Sequence, residues 1–199
     1  MEILETTEKI EEAHGHHGHG SGSNSRVALM ISVLAVLLAI VEIGGKSSQN
    51  TSLLTNIEAA NTWSFFQAKH LRQTVLKTAA DTMEEMVAQG VSPEREASMK
   101  KRISGWRADV QRYESEPEKG EGRKELSAKA KALEERRDRA LSAYHVFEYG
   151  SASLQIAIVM ASASIIVGSN ILVWISGLLG AVGVGLGMLG WFAPTLLHL

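Results

Sequence analysis

The chain has 199 residues, is 45% hydrophobic, carries a formal net charge of −2 and contains no cysteine. The missing cysteines exclude disulfides, thiol catalysis and cysteine-ligated metals, and no segment has the basic excess of a nucleic-acid binder. Charge is distributed unevenly: residues 150–199 hold no Asp, Glu, Lys or Arg, whereas residues 46–149 hold 18 Lys/Arg against 16 Asp/Glu. That contrast divides the chain into membrane and extramembrane parts rather than one soluble core, and the reading is an all-α integral membrane protein.

Residues 1–25 form an acidic, His/Gly-rich tail without apolar periodicity, predicted to be disordered. Within it His14, His16, His17 and His19 make an H-x-H-H-x-H cluster. Neutral imidazoles suit Zn, Cu or Ni, so weak capture of a divalent transition metal is one reading and a solubilising tail the other. A flexible glycine backbone and the lack of a fixed carboxylate count against a preorganised metal site.

Residues 26–45 contain the first transmembrane helix, apolar from Val27 to Ile43. A span needs about 20 apolar residues, and this run lies at the short end. It is read as a retained helix rather than a signal peptide, because 25 mostly acidic or polar residues precede it and no clear cleavage site follows. Glu42 is the only ionisable side chain inside any predicted span. It either lies at the headgroup level beside Lys46 or lines a polar pathway.

Residues 46–149 read as a charged helical hairpin. Gly90 is a C-cap, Ser92 an N-cap and Pro93 the first helical position of a second limb. Met99, Ile103, Trp106, Val110 and Tyr113 recur at heptad spacing, as do Leu126, Ala130, Leu133, Arg137, Ala140, Tyr144 and Phe147. Pro117, Gly120 and Gly122 separate the two runs. Such seams predict antiparallel, coiled-coil-like packing. At 1.5 Å per residue the limbs match in length, and positions pair where their numbers total about 196. Trp63, Phe65 and Phe66 would then face the turn from Ala130 to Leu133. The third run is predicted to continue into the next span, with a hinge near Gly150 if anywhere.

Residues 150–168 and 171–192 form the second and third transmembrane helices, joined at Gly168-Ser169-Asn170, with residues 193–199 as a C-terminal tail. Both helices carry small residues three or four apart, including Ala157 and Ala161 in one and Gly180, Gly183 and Gly187 in the other. Small faces let helices approach closely in lipid. They serve either an intrachain hairpin or contact with a second copy. Gln155 is read as an interhelical hydrogen-bonding group or, with Glu42, a pathway residue. Lys/Arg near the span ends place residues 46–149 in the cytoplasm and the N-terminal tail outside.

The tail EEAHGHHGHGSG at 11–22, the Arg-led span from Arg26, the helix EAANTWSFFQAKHLRQTVL at 58–76 and the glycine-rich C-terminal hairpin together resemble the bacterial domain of unknown function 4337 family of small membrane proteins. The resemblance covers most of the chain, with WSFFQAK at 63–69 its most specific part. Glu42 and the break between Pro117 and Gly122 depart from the pattern. The resemblance implies bacterial inner-membrane residence and brings no activity, cofactor or catalytic residue.

No phosphate loop, nucleophile elbow, HExxH or dinucleotide fingerprint is present, and His70 and His145 lack an identifiable triad partner, so an enzyme is not expected. The leading expectation is a homo-oligomeric membrane scaffold, self-associating through its small-residue faces and helical rod. The bilayer, further copies and a protein docked on the rod are the expected partners, and nucleic acid is not. The alternatives are an oligomeric channel or transporter with Glu42 and Gln155 near the pathway, and a metal-binding protein that uses the histidine tail.

Overall fold

The computed structural model describes residues 21–196. Among these it holds four helices and no strand: α1, Ser21–Ala88; α2, Pro93–Glu114; α3, Arg123–Val167; and α4, Asn170–Phe192. Three of them, α1, α3 and α4, contain stretches long and apolar enough to cross a membrane. The described residues fall into two compact units. One holds 21–49 with 140–196, the other Asn50–Arg139. Charge divides the chain at 45/46 and 149/150, whereas contacts divide it at 49/50 and 139/140.

In the first unit α4 turns a single face inward: Ser176, Gly180, Gly183, Gly187 and Gly190 are its buried residues. Opposite them α1 brings Leu34 and Val41, and α3 brings Phe147, Leu154, Ala157 and Ala161, all buried. Gly44 and Gly45 do not break α1, although glycine costs a helix interior about 0.5–1 kcal/mol relative to alanine. Packing explains their presence, since a Cβ on Gly44 would come within 2.8 Å of the Phe147 ring. Gly150 is likewise no hinge. α3 runs through it unbroken, and its bare Cα lets α4 pass, with the Gly183 carbonyl 3.1 Å from where a Cβ would stand. The turn into α4 uses Gly168 at φ 68°, a left-handed conformation that glycine adopts without strain.

In the second unit α1 buries Ser52, Thr55, Ala59, Thr62, Lys69 and Ala80, positions at heptad spacing. Ile103 and Val110 of α2, and Leu126 and Ala130 of α3, are buried with them. Asn56 meets Arg137, Trp63 meets Glu134 and Gln73 meets Arg123 at 3.3, 2.9 and 2.5 Å. Numbers rise along α1 as they fall along α3, so the two run antiparallel, near the register expected from limb length. At this register Trp63 donates to Glu134, the residue after the expected turn, and Phe65 is 39% exposed.

The ends of α2 have local causes. Pro93 opens the helix, and the Ser92 carbonyl accepts the Glu96 amide at 2.9 Å, although its hydroxyl makes no cap bond. Beyond Glu114 the chain turns back into α3 under a clamp built by Glu125. This carboxylate accepts the Ser115 hydroxyl at 2.6 Å and the Glu116 amide at 3.2 Å. Gly122 sits so close beneath that a Cβ would strike the Glu125 carboxylate and the Glu116 nitrogen.

Candidate functional site

The small-residue faces of the first unit form a set of sockets. A Cβ on Gly180 would lie 2.7 Å from Leu34, one on Gly187 2.8 Å from Val41, and one on Gly190 2.9 Å from Phe147. At Gly183 it would meet both Leu154, at 2.7 Å, and the Gly150 carbonyl, at 2.9 Å. Each glycine thus receives one named side chain from α1 or α3. Ala157 and Ala161 are fully buried on the α3 side. Two hydroxyls fasten the pair, Ser176 donating to the Ala157 carbonyl at 2.7 Å and Ser153 to the Leu179 carbonyl at 2.9 Å. α1 and α3 of the same chain fill this face, which leaves a second copy no free glycine surface there. By contrast Gly177 and Gly185 have nothing within 4 Å of a Cβ and lie outside the sockets.

Glu42 and Gln155 meet at the edge of this unit, the Gln155 amide donating to the Glu42 carboxylate at 3.4 Å. Glu42 also borders a groove with Lys46, Gln49, Tyr144, Glu148 and Ser151. One end of the unit therefore gathers two carboxylates, a lysine and two hydroxyls around an apolar floor of Val41 and Phe147. Trp191 closes edge-to-face on Phe147, ring centres 5.7 Å apart. His145 lies 3.6 Å from Glu148.

The second unit holds a polar core that sequence reasoning missed. Lys69, 5% exposed, directs its ammonium to Glu116 at 3.7 Å and Glu121 at 3.5 Å. The same ammonium sits 5.3 Å from the Phe65 ring centre and 5.4 Å from that of Tyr113. Arg123 donates to Gln73 and, at 3.1 Å, to Glu114, while its guanidinium covers Phe66. Gln73 closes the network by donating to the Val110 carbonyl and to Glu114. Among the described residues Arg123 Nε is a buried side-chain nitrogen without a partner. The missed signal was spacing, since Lys69 and Gln73 continue the 3,4 series of Ala59, Thr62 and Phe66 and so share their face. Nearby, the hydrogen bond from Ser115 is the main cause holding the Glu125 carboxyl below its usual range.

Among the described residues no three His, Asp or Glu side chains group as metal ligands. The cluster of His14, His16, His17 and His19 lies outside the described residues. No curated protein and no solved structure matches the chain. One protein-family model, described as Domain of unknown function (DUF4337), matches residues 23–193 and so takes in almost all of the four helices. The chain belongs to that family.

Proposed function

We propose that the chain is a multi-pass membrane protein with a structural rather than a chemical role: it holds a charged helical unit at the bilayer and assembles with copies of itself. Three helices of sufficient length and apolarity support membrane residence. The positive residues flanking them favour a cytoplasmic charged unit and an external N-terminal tail, and the family resemblance points to the bacterial inner membrane. The reading assigns no catalysis and no cofactor.

The observation that carries the structural rather than chemical part of this reading is how the polar and small groups of the apolar helices are used. Ser153 and Ser176 bond helix carbonyls, Gln155 bonds Glu42, and the buried glycines receive Leu34, Val41, Leu154 and Phe147. A conduction path would need polar side chains repeating along one free face, and these groups serve packing instead. The channel reading rests on the groove beside Glu42, which gathers charge at one end of the unit only.

The test is the mass and symmetry of the particle in nanodiscs, together with the radius of any axial opening. A closed oligomer is the expected result. A strict monomer overturns the assembly role, and a water-filled axis lined by Glu42 establishes the channel in its place. Zinc titration of the full chain against a chain lacking residues 1–24 tests the metal reading, and equal heats end it.

A further inference from the structure

α1 is patterned in reverse along the second unit. Its inward face carries Ser52, Thr55, Thr62, Lys69 and Gln73, while its outward face carries Leu54, Ile57, Leu71 and Val75, each between 57 and 65% exposed. An amphipathic helix normally buries its apolar stripe against its own core. Here the more apolar stripe is left uncovered.

That outer stripe is regular. Leu54, Ile57, Asn61, Ser64, Ala68, Leu71, Val75, Thr78 and Thr82 are all exposed, follow one another at alternating 3 and 4 spacing, and include no charged residue. Over 28 residues the stripe extends for about 42 Å. Leu53, 57% exposed, and Phe65 flank it and widen the apolar surface. A patch of this kind on a surface otherwise rich in Lys, Arg, Asp and Glu marks an interaction site.

Resting on the self-assembling membrane reading above, we propose that this stripe is the seam of a parallel pairing with the α1 helix of a second copy. Three features fit a second copy, and the last of them selects it. The 3,4 repeat is the period at which two helices wind around each other. Copies inserted in one membrane share an orientation, so their α1 helices run parallel, and each seam position then meets its own counterpart. Asn61 lies in the stripe at a core position, exposed and without a side-chain partner among the described residues. An asparagine at one core position specifies register in parallel coiled coils, where its carboxamide can pair with the same residue opposite. The small Ser64 and Ala68 next to it let the two backbones approach closely there. The Ser64 hydroxyl donates to its own Ala60 carbonyl at 2.9 Å, so that donor is already satisfied.

The absence of cysteine makes the test direct. Single cysteines are placed at Ile57, Asn61, Ser64, Ala68 and Leu71 on the outer stripe, and at Ala59 and Thr62 on the inner face. Each full-length variant is oxidised in native membranes, and particle mass is measured alongside. The expected result is a disulfide-linked band at twice the chain mass for the outer positions and none for the inner ones. The Leu71→Glu, Val75→Glu double variant should abolish that band in the S64C chain while its helix content stays unchanged. If the particle is oligomeric but residues 61 and 64 do not cross-link, the seam is wrong and the assembly role survives. Cross-linking at 59 and 62, or bands at a mass other than twice the chain, also overturns the seam. A monomeric particle removes both proposals.

Discussion

Ser176 donates to the backbone carbonyl of Ala157 across 2.7 Å, and both residues are completely buried. The bond fixes the height of α4 against α3 at one end of the glycine series. Ser176→Ala should cost about 0.6 kcal/mol, the average for an interhelical hydrogen bond between transmembrane helices. Ser176→Leu should cost more, because the added side chain has no space beside Ala157. Reversible unfolding of the full chain in mixed micelles measures both.

The sockets give a sharper contrast. Gly183→Ala places a methyl 2.7 Å from Leu154 and 2.9 Å from the Gly150 carbonyl, and backbone does not yield cheaply. A loss of about 1–3 kcal/mol is expected from overpacking. Gly185→Ala meets nothing within 4 Å and should be neutral or stabilising by up to about 1 kcal/mol. Melting of the two single variants side by side measures the difference. Equal effects would place the glycine face elsewhere than against α3.

Gln155→Leu should leave the fold intact. Its bond to Glu42 is long at 3.4 Å and lies on an exposed edge, so a change below about 1 kcal/mol is expected. Ion flux into vesicles should be the same for this variant and the parent chain if the pair is structural. A changed flux would favour the pathway role.

Glu125 links acidity to the loop before α3. Its folded carboxyl is held below the ordinary range, chiefly by Ser115. A depressed folded value means that the stabilisation is present above the unfolded value, about 4.3, and is lost as pH falls through the folded value. Thermal melts of the full chain should therefore lose stability below about pH 4.3. Glu125→Gln should lower stability at neutral pH and flatten that acid limb, which circular dichroism across pH 3–7 would record.

The glycine series of α4 and the antiparallel limbs were legible because both rest on spacing and length alone. A residue without a side chain at every third or fourth place marks a close helix approach whatever its neighbours are. The inward face of α1 in the second unit was not legible. Hydrophobicity points to Leu54, Ile57, Leu71 and Val75, whereas the face turned inward carries Ser52, Thr55, Thr62 and Lys69. Lys69 is buried because Tyr113, Glu116 and Glu121, some 44 to 52 residues away, converge on it. Only tertiary structure reveals that convergence. Phe65 and Phe66 were legible as aromatics but not as cation partners: Phe65 lies by the Lys69 ammonium and Phe66 under Arg123.

α4 brings holes and few knobs. Its buried face is four glycines and one serine, so the shape information for its place resides in Leu34, Val41, Leu154 and Phe147 of the other helices. It follows that α4 behaves as a late guest in a receptacle finished without it. A chain ended after Val167, supplied with residues 168–199 as a separate polypeptide, should recover the native arrangement of its helices. Substitutions at the outward positions of α4 therefore meet little of the chain, while the five inward ones are constrained by side chains that other helices supply.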